Sequence, residues 1–420
     1  MIKRTLVLIM SVALCASMTQ GAVTQTGVVN PDVSLWNSAT NVWVYTATVT
    51  VDDGSDIESN LSAVGATGVG SMTVTDPGST WTLHHHARMG YYANSNGTLN
   101  ITNGGAVNGT HISLGLRGES KGWCNITDPG SILTATRFSV GHNGDGWLDV
   151  SSGGVISTSD GRVGDQSGST GDATIRGAGS KWINSGEFNV GYFGDGELDI
   201  IRGGFVRNRS GYIGRTGGRT GKVIVRDAGS EWINSSEFRI GHSGHGELEI
   251  RLGGEVSNVL SGAIGYYAGG SGKATVRDAG STWTNSSILL VGSNGPGKLQ
   301  IFDGGLVSVG NTLYIDYNGD GDSSLPMANG GMLALKGGSA GDDLADFLSM
   351  IDGTGSIRYF NGAVWDDITN ATAGVDYTVA YQSGGDLDGY TVLTVTAAPE
   401  PATMALLAIG GLAMLRRRRR

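Results

Sequence analysis

The sequence predicts an all-β fold, a right-handed parallel β-helix of about ten 25-residue coils with a cap at each end, and three spacings predict it. Pro/Ala-Gly-Ser followed two residues later by a large apolar residue recurs at Trp81, Leu133, Trp182, Trp232 and Trp283, in steps of 52, 49, 50 and 51. A Gly-Gly pair ahead of an apolar residue keeps the same period, at Gly104-Gly105, Gly153-Gly154, Gly203-Gly204, Gly253-Gly254 and Gly304-Gly305. An apolar residue followed by glycine halves the period, from Val64-Gly65 to Val291-Gly292 in steps of 23 to 27. Internal repetition at a fixed period marks a stacked architecture, in which each unit buries its apolar face only against its neighbours. A β-propeller, whose blades also run to about 40 to 50 residues, is disfavoured by the 25-residue half-period.

The elements follow in order. Lys3 and Arg4 precede an apolar run from Leu6 to Ala16, and small residues appear at Gly21 and Ala22, so residues 1–22 read as a secretory signal peptide. Cys15 follows Leu14, too large a neighbour for a lipidation site, which leaves Cys124 as the one cysteine of the exported chain and no internal disulfide. Residues 23–60 read as an N-terminal cap, with alternation through Val42–Val51. Residues 61–316 hold the coils. Alternating runs such as Glu197-Leu198-Asp199-Ile200 and Lys222-Val223-Ile224-Val225 are separated by Gly, Asn, Asp and Ser, which tolerate sharp turns and positive φ. Stacking such coils pairs each backbone donor and acceptor with the coil above and below, and ten coils at about 4.8 Å each make a rod of roughly 50 Å. Right-handedness follows from the general preference of parallel crossovers. Asp76, Asp128, Asp227 and Asp278 stand two residues before the glycine of Gly-Ser, where a carboxylate can bond turn backbone, and Gly177 breaks the series. Residues 317–397 lose the marker and read as a C-terminal cap, with a short helix near Asp342–Met350 and strands at 377–381 and 390–395.

Composition narrows the function. The formal charge is −10; setting aside the two cations of residues 1–22 and the five of residues 402–420 leaves −17 for residues 23–401. That excess of acid argues against nucleic acid and polyanionic glycan as partners, because binding them depends on Lys and Arg neutralising their charge. Glycine supplies 72 of 420 residues without a Gly-X-Y period, so neither collagen nor disorder accounts for it.

The last segment, 398–420, has the order of a sorting tail. Pro399-Glu400-Pro401 holds the chain non-helical, residues 402–415 form a short apolar membrane segment, and Arg416, Arg417, Arg418, Arg419 and Arg420 resist translocation. Fourteen apolar residues fall short of the roughly 20 of a comfortable span, as suits a temporary anchor. These residues resemble the PEP-CTERM tail of exported bacterial proteins. The resemblance implies export through the Sec machinery and signal peptidase and a transient inner-membrane anchor. It further implies processing by an exosortase-type membrane enzyme near Pro-Glu-Pro and delivery to the cell surface or extracellular matrix, in a setting of exopolysaccharide. The coils also resemble the passenger repeats of bacterial autotransporters, although no C-terminal set of amphipathic strands is present to form a translocating barrel.

Little in the coils points to catalysis. Arg176, Arg226 and Arg277, and Glu187 and Glu237, recur at equivalent positions, which reads as a decorated surface, and no enzyme activity is expected. His84-His85-His86 could bring at most His84 and His86 to one face, since alternate strand residues point oppositely. Asp316, Asn318, Asp320 and Asp322 match the opening of an EF-hand-like loop, but Met327 stands where the bidentate carboxylate belongs. The segment reads either as a weak or structural Ca²⁺ site or as an acidic turn, and no other cofactor is expected. Trp81, Trp182, Trp232 and Trp283 would stand roughly 10 Å apart in consecutive 50-residue repeats. Facing outward they would contact a glycan chain; facing inward they would fill the core. The functional expectation is an exported structural or adhesive β-helix protein. The alternatives are a glycan-binding module using those tryptophans and a polysaccharide lyase or hydrolase.

Overall fold

The computed structural model describes residues 23–396, and within them the chain is a parallel β-solenoid of about 12 turns. Each coil contributes up to three strands, and equivalent strands stack in register into three walls. The first wall carries seven-residue strands such as Asp145–Ser151, Thr170–Arg176 and Asp195–Ile201, with Val150, Ile175 and Ile200 directly above one another. Their burial alternates residue by residue, because a pleated strand sends successive side chains to opposite faces. The second wall holds strands such as Lys181–Asn184 and Glu231–Asn234, and the third holds Glu187–Val190 and Phe238–Ile240.

The two 50-residue markers are the two ends of one hydrogen bond. The serine of each Gly-Ser is buried, and its hydroxyl accepts from the first glycine N–H of the Gly-Gly pair one coil earlier: Ser131 from Gly104, Ser180 from Gly153, Ser230 from Gly203 and Ser281 from Gly253, each at 3.0 Å. The aspartates before them adopt positive φ, 73° at Asp227 and 70° at Asp278, and accept from the adjacent coil, as Asp227 does from the Arg202 N–H at 3.3 Å. Gly177 fits the same slot at φ 86°, so what the position requires is the left-handed backbone. The half-period marker has a steric origin. At Gly141, φ is 71° and an added Cβ would lie 2.0 Å from the Thr170 carbonyl oxygen of the next coil.

A doubled period arises from packing. Along the second wall the inward column reads Ile156, Trp182, Val206, Trp232, Val256, Trp283, Val307. Along the third it reads Phe138, Gly161, Phe188, Gly211, Phe238, Gly262, Leu289. A coil with Trp182 and Phe188 is thus followed by one with Val206 and Gly211. The large rings of one coil spread over the small residues of its neighbours. Trp182 meets Phe188 edge to face at 4.7 Å, and a Cβ on Gly161 would sit 2.8 Å from the Phe188 ring. Large and small layers alternate so that one interior cross-section stays close-packed.

The stack extends past both boundaries that the marker spacing suggests. Val42–Val51 already pairs in parallel with Ser62–Val64 and Val69–Thr75, and beyond residue 316 the strands Leu325–Met327, Met332–Lys336 and Ile351–Gly353 continue the walls. The spacing misses these coils because terminal turns are built from other residues. Asp316, at φ 58°, follows Ile315 where Gly292 follows Val291 one coil earlier.

Each end is closed by antiparallel pairing. Val23–Asn30 pairs with Val42–Val51, and Tyr390–Val395 pairs with both Met332–Lys336 and Tyr377–Gln382. Such caps cover edges that would otherwise template association. The short helix is Leu344–Leu348, started by a capping box between Asp343 and Asp346 and anchored by buried Phe347.

Candidate functional site

The four repeated tryptophans point inward, which corrects the reading of Trp81, Trp182, Trp232 and Trp283 as glycan contacts: each is 0% exposed. Their indole N–H groups are satisfied inside the core. Trp81 donates to Ser59 Oγ at 2.9 Å, Trp182 to Thr158 Oγ1 at 2.9 Å, Trp232 to Asn208 Oδ1 at 2.6 Å and Trp283 to Asn258 Oδ1 at 3.0 Å. The acceptors belong to an interior polar column that includes the in-register residues Asn208, Asn234, Asn258 and Asn285. A buried tryptophan needs such a partner, so the ring face has no access to a sugar.

The loop from Asp316 is bonded to itself. Asp316 is buried, and its Oδ2 accepts from the Gly321 N–H at 3.0 Å and the Thr354 hydroxyl at 2.7 Å. Asn318 Nδ2 donates to Asp320 Oδ2 at 2.6 Å, while Asp320 Oδ1 accepts from the Asp322 N–H at 3.1 Å. Those bonds, the Asp322 amide first, hold the Asp320 carboxyl below the usual range. Ca²⁺ asks for six to eight oxygen ligands, and among the described residues no group of three or more His, Cys, Asp or Glu side chains is placed to hold a metal ion. Asp316, Asn318, Asp320 and Asp322 thus share one hydrogen-bonded turn, with Asp316 as the residue that secures it.

The histidines divide differently from the strand alternation. His84 pairs with Glu58 at 3.3 Å, whereas His86 packs between His85, at 4.1 Å between ring centroids, and His111 of the next coil, at 4.8 Å. Burial, then the charges of His85, His111 and Arg88, push His86 down to about 4. Desolvation likewise lowers His111. The nearly inaccessible Asp165 accepts from His142 Nδ1 at 2.7 Å, Arg162 at 2.9 Å and Ser139 at 2.9 Å. Burial alone would raise the Asp165 carboxyl, yet His142 and Arg162 hold it below the usual range.

Recurring surface charges pair between coils. Asp149 takes Arg176 at 2.6 Å, Glu197 takes Lys222 at 2.6 Å, Glu247 takes Lys273 at 2.8 Å and Glu249 takes Arg277 at 2.8 Å.

One feature of the first wall has no repeat spacing to mark it. Trp123 and Trp147 stand outward and partly exposed, in register on consecutive coils, with rings stacked at 4.9 Å and 13°. The same column continues through Asp172, Glu197 and Lys222. A cavity of about 340 Å³ opens there, lined by Trp147, Asp172, Asp195, Glu197, Thr220 and Lys222 among others. Burial, then the neighbouring Glu197, holds the Asp172 carboxyl above the usual range, and Asp199 is raised in the same way. Strand parity carried the signal: inward Leu148 and Val150 put Trp147 outward.

Pro399, Glu400, Pro401 and Arg416 to Arg420 lie outside the described residues, as do the expected signal peptide and the segment 402–415. Among the described residues no helix is long and apolar enough to cross a membrane. Residues 397–420 match the PEP-CTERM protein-sorting motif. Fold and motif together define the class: a β-solenoid protein carrying an export-linked sorting signal of the kind that exosortase processes. Over 150 residues the chain is 33% identical to the "Uncharacterized lipoprotein YdeK" of Escherichia coli (strain K12), a match that takes in 34% of this chain and 11% of that protein.

Proposed function

We propose that this protein is a non-catalytic structural element of the cell surface or extracellular matrix, a rod whose stacked coils hold a length and present adhesive walls. In this reading the Sec machinery and signal peptidase export it, residues 402–415 hold it briefly in the inner membrane, and an exosortase-type enzyme releases it near Pro399-Glu400-Pro401. The match of residues 397–420 to the sorting motif carries the delivery. The build of the coils supports the structural role: a continuous apolar core, serine-to-glycine bonds between coils, and surface charges paired with neighbouring coils.

Intact mass spectrometry of the protein washed from its native cell surface tests this. The expected species lacks the apolar segment and the arginine block. Recovery only of a species that keeps Arg416 to Arg420, confined to the inner membrane, would contradict it.

A further inference from the structure

We propose that the first wall carries a binding site for an uncharged sugar chain, built on the open face of Trp147 and the oxygen-bearing side chains of the next two coils. One face of Trp147 is covered by Trp123, stacked at 4.9 Å. On its other side the residue in register is Asp172, too short to cover an indole, and the cavity of about 340 Å³ occupies that space. This volume lies within the range of small-ligand sites. A pyranose ring has an apolar C–H face suited to an indole and a rim of hydroxyls that need acceptors. Asp172 and Glu197 supply acceptors in register one and two coils beyond Trp147, about 4.8 and 9.6 Å along the rod. The strip is one side chain wide and runs along the rod axis, as a linear polyhydroxylated chain would.

Charge sets the class of sugar. Asp172, Asp195 and Glu197 line the cavity against one cation, Lys222, whose ammonium is already bonded to Glu197 at 2.6 Å. A uronate or sulfated chain would meet like charge, whereas neutral hydroxyls donate to it. The partly desolvated Asp172 carboxyl gains most from such donors. The site uses neither the four buried tryptophans nor the sorting tail. It rests on the surface-delivery reading only for where such a sugar would be met.

Isothermal titration of the full-length chain in detergent tests the proposal, with neutral gluco- and manno-hexasaccharides and with hexagalacturonate. At least one neutral hexasaccharide is expected to bind with a Kd of about 1 mM or tighter, and hexagalacturonate about tenfold more weakly or worse. Trp147→Ala should weaken neutral binding about tenfold or more. Asp172→Trp adds a third ring to the stack, closes the cavity without touching the core, and should abolish binding with thermal stability retained. Trp182→Phe should bind as wild type. The proposal is overturned if no neutral hexasaccharide binds, if hexagalacturonate binds more tightly, or if a folded Asp172→Trp protein binds unchanged. Because the titration reads purified protein and the surface mass reads delivery, either can fail alone.

Discussion

Gly161 shows how closely single residues are fixed in this core. Its missing side chain makes room for Phe188 of the next coil, which leans on Trp182. Gly161→Ala should cost about 1–3 kcal/mol through overpacking. In urea unfolding, Phe188→Leu should recover part of that loss in the double variant, because the two substitutions share one contact; strictly additive losses would show that the layers do not interlock. Ser230→Ala removes the buried acceptor of the half-buried Gly203 N–H, bonded at 3.0 Å. Losing that bond should cost about 0.5–1.5 kcal/mol and speed hydrogen exchange at Gly203. An unchanged exchange rate there would mean that the bond is dispensable. His86 gives a pH signature. The unfolded chain takes up its proton near 6.5, while the folded one waits until about 4. Stability present above pH 6.5 is therefore lost as the pH falls through that window. His86→Gln should flatten the dependence of the urea midpoint between pH 6.5 and 4, and an unaltered slope would assign the dependence to other groups.

At the scale of the element, the sequence made the coils legible and left their contents ambiguous. Corner glycines and Gly-Ser turns repeat because each turn meets the same backbone one coil away, so spacing alone locates them. Orientation was legible where a strand alternates for six or seven residues, as in Asp195–Ile201. In the four-residue strands of the second wall, Lys181–Asn184 or Glu231–Asn234, parity could not choose between an inward and an outward tryptophan. The deciding features, a small partner on the third wall and an asparagine or hydroxyl acceptor for the indole, lie on neighbouring coils. The same limit applied to Asp316. Its spacing from Asn318 and Asp320 is that of a calcium-loop opening, whereas its place as a corner residue with positive φ depends on stacking against other coils. Trp123 and Trp147 are readable by strand parity but stand apart from the repeated Gly-Ser signature, so the period carries no sign of them.

The whole molecule combines a rod of about 12 turns, roughly 55–60 Å at the strand spacing, with a tail that addresses it. In a solenoid each coil touches only its neighbours, so the length is set by the number of coils, with closed ends preventing further growth. A surface element needs that rigidity and a route outward, and residues 397–420 match a motif that supplies the route. The most direct measurement is surface labelling of cells producing the full chain beside a variant with Pro399, Glu400 and Pro401 all replaced by alanine. The account predicts that the wild-type coils are labelled outside the cell while the variant is held in the inner-membrane fraction. Equal surface labelling of both would contradict it, because delivery would then not pass through the tail.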